Sequence, residues 1–131
     1  MGSMHTGLEE LKGGFKRLAK FYSERAKGGV GLIVTGGISP NRAGVTAWGG
    51  ARMTRSRHAK EHQQITNAVH NEGGKIVMQI LHAGRYAYTP FAVAPSAIKS
   101  PISKFKPRAL SSRGVKRTIK DFVNSAKLAM A

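Results

Sequence analysis

The sequence predicts an α/β fold in which parallel strands alternate with helices, laid out as a barrel or as a doubly wound sheet. Three observations carry that reading. Lys75-Ile-Val-Met-Gln-Ile-Leu81 runs without polar alternation, the pattern of a strand buried on both faces, as in parallel sheets. Gly31-Leu-Ile-Val-Thr-Gly-Gly37 is a second element of the same kind. Between and around them lie amphipathic stretches that end in Gly-Gly pairs. In such architectures ligands gather where the strands exit, which singles out Gln79 and the His82-Ala-Gly-Arg85 corner.

Taken in order, Met1 to Gly7 reads as the tail of a strand entering a loop. Leu8 to Lys27 reads as a helix, with Leu11, Phe15, Leu18, Tyr22 and Ala26 on one apolar stripe. Glu9 and Glu10 suit its positive end, and Gly28-Gly29 stops it. Gly13-Gly14 inside the pattern weakens it, by roughly 1 kcal/mol per glycine, so the helix proper begins after them. Val30 to Thr35 is the next strand, and 38–57 is a loop of functional length. A second helix over 59–71 turns Ile65, Ala68 and Val69 inward and ends at Gly73-Gly74. The strand at 75–81 follows. Residues 84–109 hold Pro90, Pro95, Pro101 and Pro107, which deny that excursion regular structure. The last helix, 112–129, aligns Val115, Ile119, Phe122, Ala126 and Ala129.

Composition sets the limits. At 131 residues the chain is one domain or less, and 40% hydrophobic content suffices for a core. With no cysteine there is no disulfide, thiolate zinc site or iron–sulfur cluster within it. No apolar run approaches the roughly 18 residues of a membrane span, and the polar start lacks a secretory signal; a cytoplasmic location is the expectation. The 22 Lys and Arg against 6 acids give a formal net charge of +16. That excess attracts polyanions. The cations are scattered and few aromatics are interleaved with them, so the expected nucleic-acid contact is non-specific. His58 and His62 are an i, i+4 pair without a third ligand, and no metal site is expected. Gly36-Gly37 lacks the G-x-G-x-x-G spacing of a dinucleotide turn.

Several stretches together resemble a known family. These are Met1-Gly-Ser-Met-His-Thr-Gly-Leu-Glu-Glu10, Arg17-Leu-Ala, Phe21-Tyr, Glu24-Arg-Ala and Gly31-Leu-Ile-Val-Thr-Gly-Gly-Ile38. They continue in Ile65-Thr-Asn-Ala-Val-His-Asn-Glu-Gly-Gly-Lys-Ile76, Gln79-Ile-Leu-His-Ala-Gly-Arg-Tyr86, Ala94-Pro-Ser-Ala97 and Ser100-Pro-Ile102. In one register along nearly the whole chain, they resemble the Old Yellow Enzyme-like NADH:flavin oxidoreductase / NADH oxidase family, and within it the bacterial 2,4-dienoyl-CoA reductases. The resemblance implies a (β/α)8 TIM barrel with FMN at its C-terminal mouth. A full barrel needs about 250 residues. Residues 1–131 are accordingly expected to form a partial FMN-binding barrel domain, from the end of strand 1 through helix 3, incomplete and truncated at both ends.

The implied site follows residue by residue. Ser3, Met4 and His5 fall where the family's first strand exit meets the flavin, largely through backbone. Gly37 falls at the second exit, where a missing side chain allows close approach. Gln79 falls on the glutamine whose amide bonds the polar edge of the ring. His82, Arg85 and Tyr86 lie at the third exit and are expected to shape the site without catalysing. No catalytic residue is expected here, because the family's Tyr and His match no position before 131. NADPH, FAD and a 4Fe-4S cluster belong to the full-length family and have no expected site in this chain. The implied reaction is reduction of an enoyl- or dienoyl-CoA by hydride from reduced flavin.

Two departures qualify the match. Where the family opens its third helix with acids, this chain has Arg113-Gly114, which oppose the helix dipole and lower helix propensity. Basic residues recur on expected surface positions. The expectation is a chain inactive by itself, whose open barrel edges favour self-association. A basic nucleic-acid-binding module and a non-functional gene fragment are the alternatives.

Overall fold

The computed structural model describes all of residues 1–131. A 3-10 turn, Leu8–Glu10, precedes helix α1 (Gly14–Lys27). Strand β1 (Leu32–Ile38), helix α2 (Ser56–Asn71) and strand β2 (Lys75–Ile80) come next. A second 3-10 turn, Gly84–Tyr86, leads to the two-residue strands β3 (Val93–Ala94) and β4 (Arg108–Ala109), and helix α3 (Ser112–Met130) ends the chain. This is an α/β arrangement of alternating strands and helices, resembling a partial TIM barrel left open.

β1 and β2 pair in parallel, from Leu32 opposite Lys75 to Ile38 opposite Ile80, with a register shift between Val34 and Gly37. On the other edge of β1, the Val34 amide donates to the Met1 carbonyl at 3.0 Å, and the Met1 amino group donates to Leu32 O at 2.6 Å. The strand tail expected over Met1–Gly7 is thus reduced to Met1, and residues beyond it peel away from the ladder.

Gly13 and Gly14 explain the broken start of α1. Gly13 has φ +71°, and a Cβ on Gly14 would sit 1.7 Å from the Leu8 carbonyl oxygen. The two glycines therefore close the 3-10 turn onto the helix, and Leu11 from the expected stripe stays half exposed. The remainder of that stripe packs well. Leu18, Tyr22 and Ala26 of α1 join Ile33 of β1 and Ile65 and Val69 of α2 in one buried cluster. Each large apolar side chain buried there contributes about 1.5–3 kcal/mol.

Three expectations are corrected. β2 is not buried on both faces: it has one partner strand, and Val77 is 47% exposed. An apolar groove of about 370 Å³ lies beside it, between Ile76 and Met78 of β2, Ile65 of α2, and Ala126 and Met130 of α3. The proline-rich excursion does contain regular pairing, because β3 and β4 meet in parallel where the prolines leave the Arg108 and Leu110 amides free to donate to Ala92 and Ala94. The α3 stripe is covered only in its middle: Phe122 and Ala126 are partly buried, whereas Val115, Ile119 and Ala129 are exposed. Polar contacts hold α3 instead: Asn41 Nδ2 donates to Asp121 at 2.8 Å and Asn124 Nδ2 to the Thr54 carbonyl at 3.4 Å. At its start, Gly114 N–H donates to the Ser111 cap at 3.2 Å.

Candidate functional site

The strand exits converge on one end of the β1–β2 pair. Ser3 Oγ donates to Gln79 Oε1 at 2.9 Å across 76 residues of sequence. The Gln79 main-chain N–H donates to Thr35 Oγ1 at 3.1 Å, and that hydroxyl donates to the Gly36 carbonyl at 2.8 Å. Thr35 thereby ties the two strands together where the register shifts, and holds Gln79 in place. The Gln79 Nε2 group makes no hydrogen bond within the chain, nor do the main-chain N–H and C=O groups of Ser3, Met4 and His5 join any ladder. Main-chain and amide groups left unpaired in this way need a partner, from water or from a ligand.

Of the five residues singled out by sequence, Ser3, Met4 and Gln79 lie together at this exit. Met4 is 49% exposed, and its carbonyl oxygen packs against Gly36. His5 turns aside, with Nε2 3.2 Å from Glu10 Oε1. Gly37 is crowded on the side its Cβ would occupy: that atom would come within 2.9 Å of the Leu81 side chain. Packing of Leu81 accounts for this glycine.

Sequence reasoning passed over the neighbouring glycine. A Cβ on Gly36 would lie 2.7 Å from the Met4 carbonyl oxygen and 2.6 Å from Glu9 Oε1. Gly36 is therefore the position at which the 3–5 backbone comes down onto β1. Beneath it, Tyr22 Oη accepts from Gly36 N–H at 3.2 Å. Burial pushes the Tyr22 phenol above its ordinary range, and the Glu9 charge adds to this while Gly36 N–H and Arg25 oppose it. Glu9 is itself buried, accepting from Thr6 Oγ1 at 2.9 Å. The Gly-Gly pair was the available signal, but choosing between its members required the turn of the chain at residues 3–9.

The third strand exit braces more than it exposes. His82 Nδ1 accepts from Gly84 N–H at 3.1 Å, so the ring proton sits on Nε2. The ring stacks on Phe122 of α3 at 6.5 Å and packs against Gly44, whose Cβ would come within 2.7 Å of it. Burial lowers the His82 pKa, with Asp121 opposing. Arg85 stacks over Tyr86 and donates to its hydroxyl at 3.3 Å, while both Tyr86 and Tyr88 are more than half or half exposed. In α2, His62 Nδ1 donates to the His58 carbonyl at 2.8 Å and its ring meets Phe15 edge-on. No three His, Asp or Glu residues gather as a metal-ligand set, and no helix is long and apolar enough to cross a membrane.

Known proteins share this fold. The old yellow enzyme homologue from Zymomonas mobilis superposes on 99% of this chain and 40% of its own with a TM-score of 0.85, at 24% identity, a likeness of fold. Old Yellow Enzyme from Pichia sp. AKU4542 is 29% identical, covering 88% of this chain and 33% of its own, with a TM-score of 0.77. Among curated sequences, a metal reductase of Desulforamulus reducens is 36% identical over 98% of this chain, and an N,N-dimethylglycine/sarcosine dehydrogenase of Chromohalobacter salexigens is 31% identical over 97%. The chain spans about a fifth of the length of these two relatives. A match to the family's profile runs over residues 1–131. The chain belongs to the NADH:flavin oxidoreductase / NADH oxidase family.

Proposed function

We propose that this chain forms the ring-edge wall of an FMN site in an Old Yellow Enzyme-type oxidoreductase, residues 1–131 being part of its FMN-binding barrel domain. The observation that supports this best is the Ser3–Gln79 hydrogen bond, which brings two predicted flavin contacts to one strand exit. The fit is chemical as well as positional. Gln79 offers a free amide donor and residues 3–5 offer free main-chain groups, the set needed to bind the alternating donors and acceptors of an isoalloxazine edge. Bound flavin would supply hydride to the electron-poor C=C of a conjugated enoyl or dienoyl thioester, and a proton would complete the reduction.

Each residue then has a limited task. Gln79 Nε2 donates to the ring edge, and the bond from Ser3 fixes the amide so that the nitrogen faces the ligand. Thr35 holds the Gln79 backbone in register. Gly36 lets the Met4 carbonyl close onto the strand, and Tyr22 anchors that strand from below. Gly37 and His5 flank the exit. No residue here is assigned the proton transfer. NADPH, FAD and a 4Fe-4S cluster would be carried by parts of an enzyme that this chain does not match, and the cluster needs thiolates that it lacks.

Riboflavin isolates these ring contacts because it has no phosphate for the basic surface to attract. Titrated with the chain, its fluorescence should be quenched saturably. Gln79→Ala should weaken binding about fivefold or more, the worth of one good hydrogen bond, and Gln79→Glu should weaken it also. Quenching that is absent, or that Gln79→Ala leaves unchanged, overturns the assignment.

A further inference from the structure

A second cleft lies in the loop between β1 and α2, closed on one side by residues 89–91. Its volume is about 490 Å³, within the range of small-molecule sites. The sequence makes this loop stiff. Ser39 N–H donates to the Ala51 carbonyl at 3.0 Å and Met53 N–H to the Ser39 carbonyl at 2.9 Å, pinning both its ends. The Tyr88 N–H donates to the Thr46 carbonyl at 2.7 Å and locks the loop to the segment after β2.

Three arginines, Arg42, Arg52 and Arg55, line this cleft. None has a carboxylate within ion-pair distance. Arg42 stacks 3.9 Å above the Phe91 ring, which meets Trp48 edge-on at 5.7 Å. Trp48 is 62% exposed, so its indole keeps an open face. A buried group points the same way. Thr89 lines the cleft at 1% exposure, and its Oγ1 has no hydrogen-bond partner. A buried hydroxyl without a partner is costly, and an acceptor on a ligand would satisfy it.

We propose that this cleft binds a small nucleoside phosphate. Arginine forks match phosphate oxygens two at a time, and an indole with a free face stacks a planar base. Burial lowers the pKa of His58 in the neighbouring helix, and Arg57, Arg52 and Arg55 lower it further against Glu61. The single exposed tryptophan favours a small molecule over a nucleic-acid strand, which would need a row of stacking platforms along a groove. The site stands apart from Gln79 and does not depend on the flavin reading.

Trp48 is the one tryptophan in the chain and reports on its own site. ADP titrated into the full chain should change its emission saturably, with pyrophosphate and adenosine each binding more weakly. Arg52→Ala combined with Arg55→Ala should weaken ADP about tenfold or more, whereas Lys116→Ala combined with Lys120→Ala on α3 should leave it unchanged. Thr89→Val should weaken ADP while leaving urea stability equal or higher, since it removes an unpaired hydroxyl. Far-UV circular dichroism checks the fold of each variant. The proposal is overturned if ADP leaves the emission unchanged, if pyrophosphate binds as tightly as ADP, if the α3 pair weakens binding as much as the arginine pair, or if a single-stranded oligonucleotide binds and ADP does not displace it.

Discussion

Gly36→Ala tests how the flavin-side exit is built. Gly36 has no positive φ, so the substitution meets no backbone strain and its cost is a matter of space. The new methyl would lie 2.7 Å from the Met4 carbonyl oxygen and 2.6 Å from Glu9 Oε1. Neither neighbour yields readily: one is backbone, and the other is a buried carboxylate held by Thr6. Overpacking of this kind costs about 1–3 kcal/mol, offset by roughly 0.4–1 kcal/mol from the stiffer unfolded chain. The net expectation is a loss of about 1–2 kcal/mol. Gly31→Ala is the internal control, because nothing lies within 4 Å of the methyl it would add and its φ is not positive. Its net cost should stay under about 1 kcal/mol. Urea unfolding followed by circular dichroism reads both, and riboflavin quenching reads the exit, which Gly36→Ala should disturb more. Equal costs for the two variants, or a neutral Gly36→Ala, would refute the placement of the 3–5 backbone on Gly36.

Two further outcomes follow from burial and from the open sheet. His62, His58 and His82 have pKa values lowered chiefly by burial, so the unfolded chain binds more protons in acid. Stability should be full above the ordinary imidazole value of about 6.5 and fall as pH drops below it; His62→Leu should flatten part of that slope in urea midpoints taken across the range. Val77→Lys places a charge on the exposed edge strand, and should reduce self-association in sedimentation velocity, where an unchanged mass distribution would show that the β2 edge is not the contact.

The periodic parts of the chain were legible and the contact-dependent parts were not. Leu18, Tyr22 and Ala26 recur at helical spacing, and they do form the core with Ile33 and Val69. The burial expected of β2 on both faces does not follow, because an unbroken apolar run records what a strand is suited to pack against. Whether a neighbour is present to cover it is not written in that run, and Val77 lies open. β3 and β4 escaped detection because two-residue strands have no period, and proline blocks only its own amide. At the candidate site, residue types pointed to Ser3 and Gln79, while the roles of Gly36, Thr35 and Glu9 depend on how residues 3–9 fold back over β1. The arginine cleft was hidden for a similar reason. Arg42, Arg52 and Arg55 look like scattered charge until the loop closes and Thr89 is brought beneath them.

The charge and the open edge act against each other, which gives self-association a definite salt dependence. The edge of β2 and the groove beside it favour pairing with another apolar surface. Two copies that approach each carry a formal net charge of +16, with hardly any of it neutralised by ion pairs. Repulsion therefore dominates at low ionic strength, where screening reaches about 30 Å at 0.01 M, and it fades as the screening length falls toward about 3 Å at 1 M. Apolar contact is not weakened by the same salt. Association through the edge should accordingly rise with sodium chloride and should be suppressed by Val77→Lys throughout. Contact with a polyanion has the opposite sign, because salt removes the attraction that drives it. A chain that sediments as larger species in low salt and disperses in high salt would be held together by bound polyanion, and the open strand edge would have no part in it.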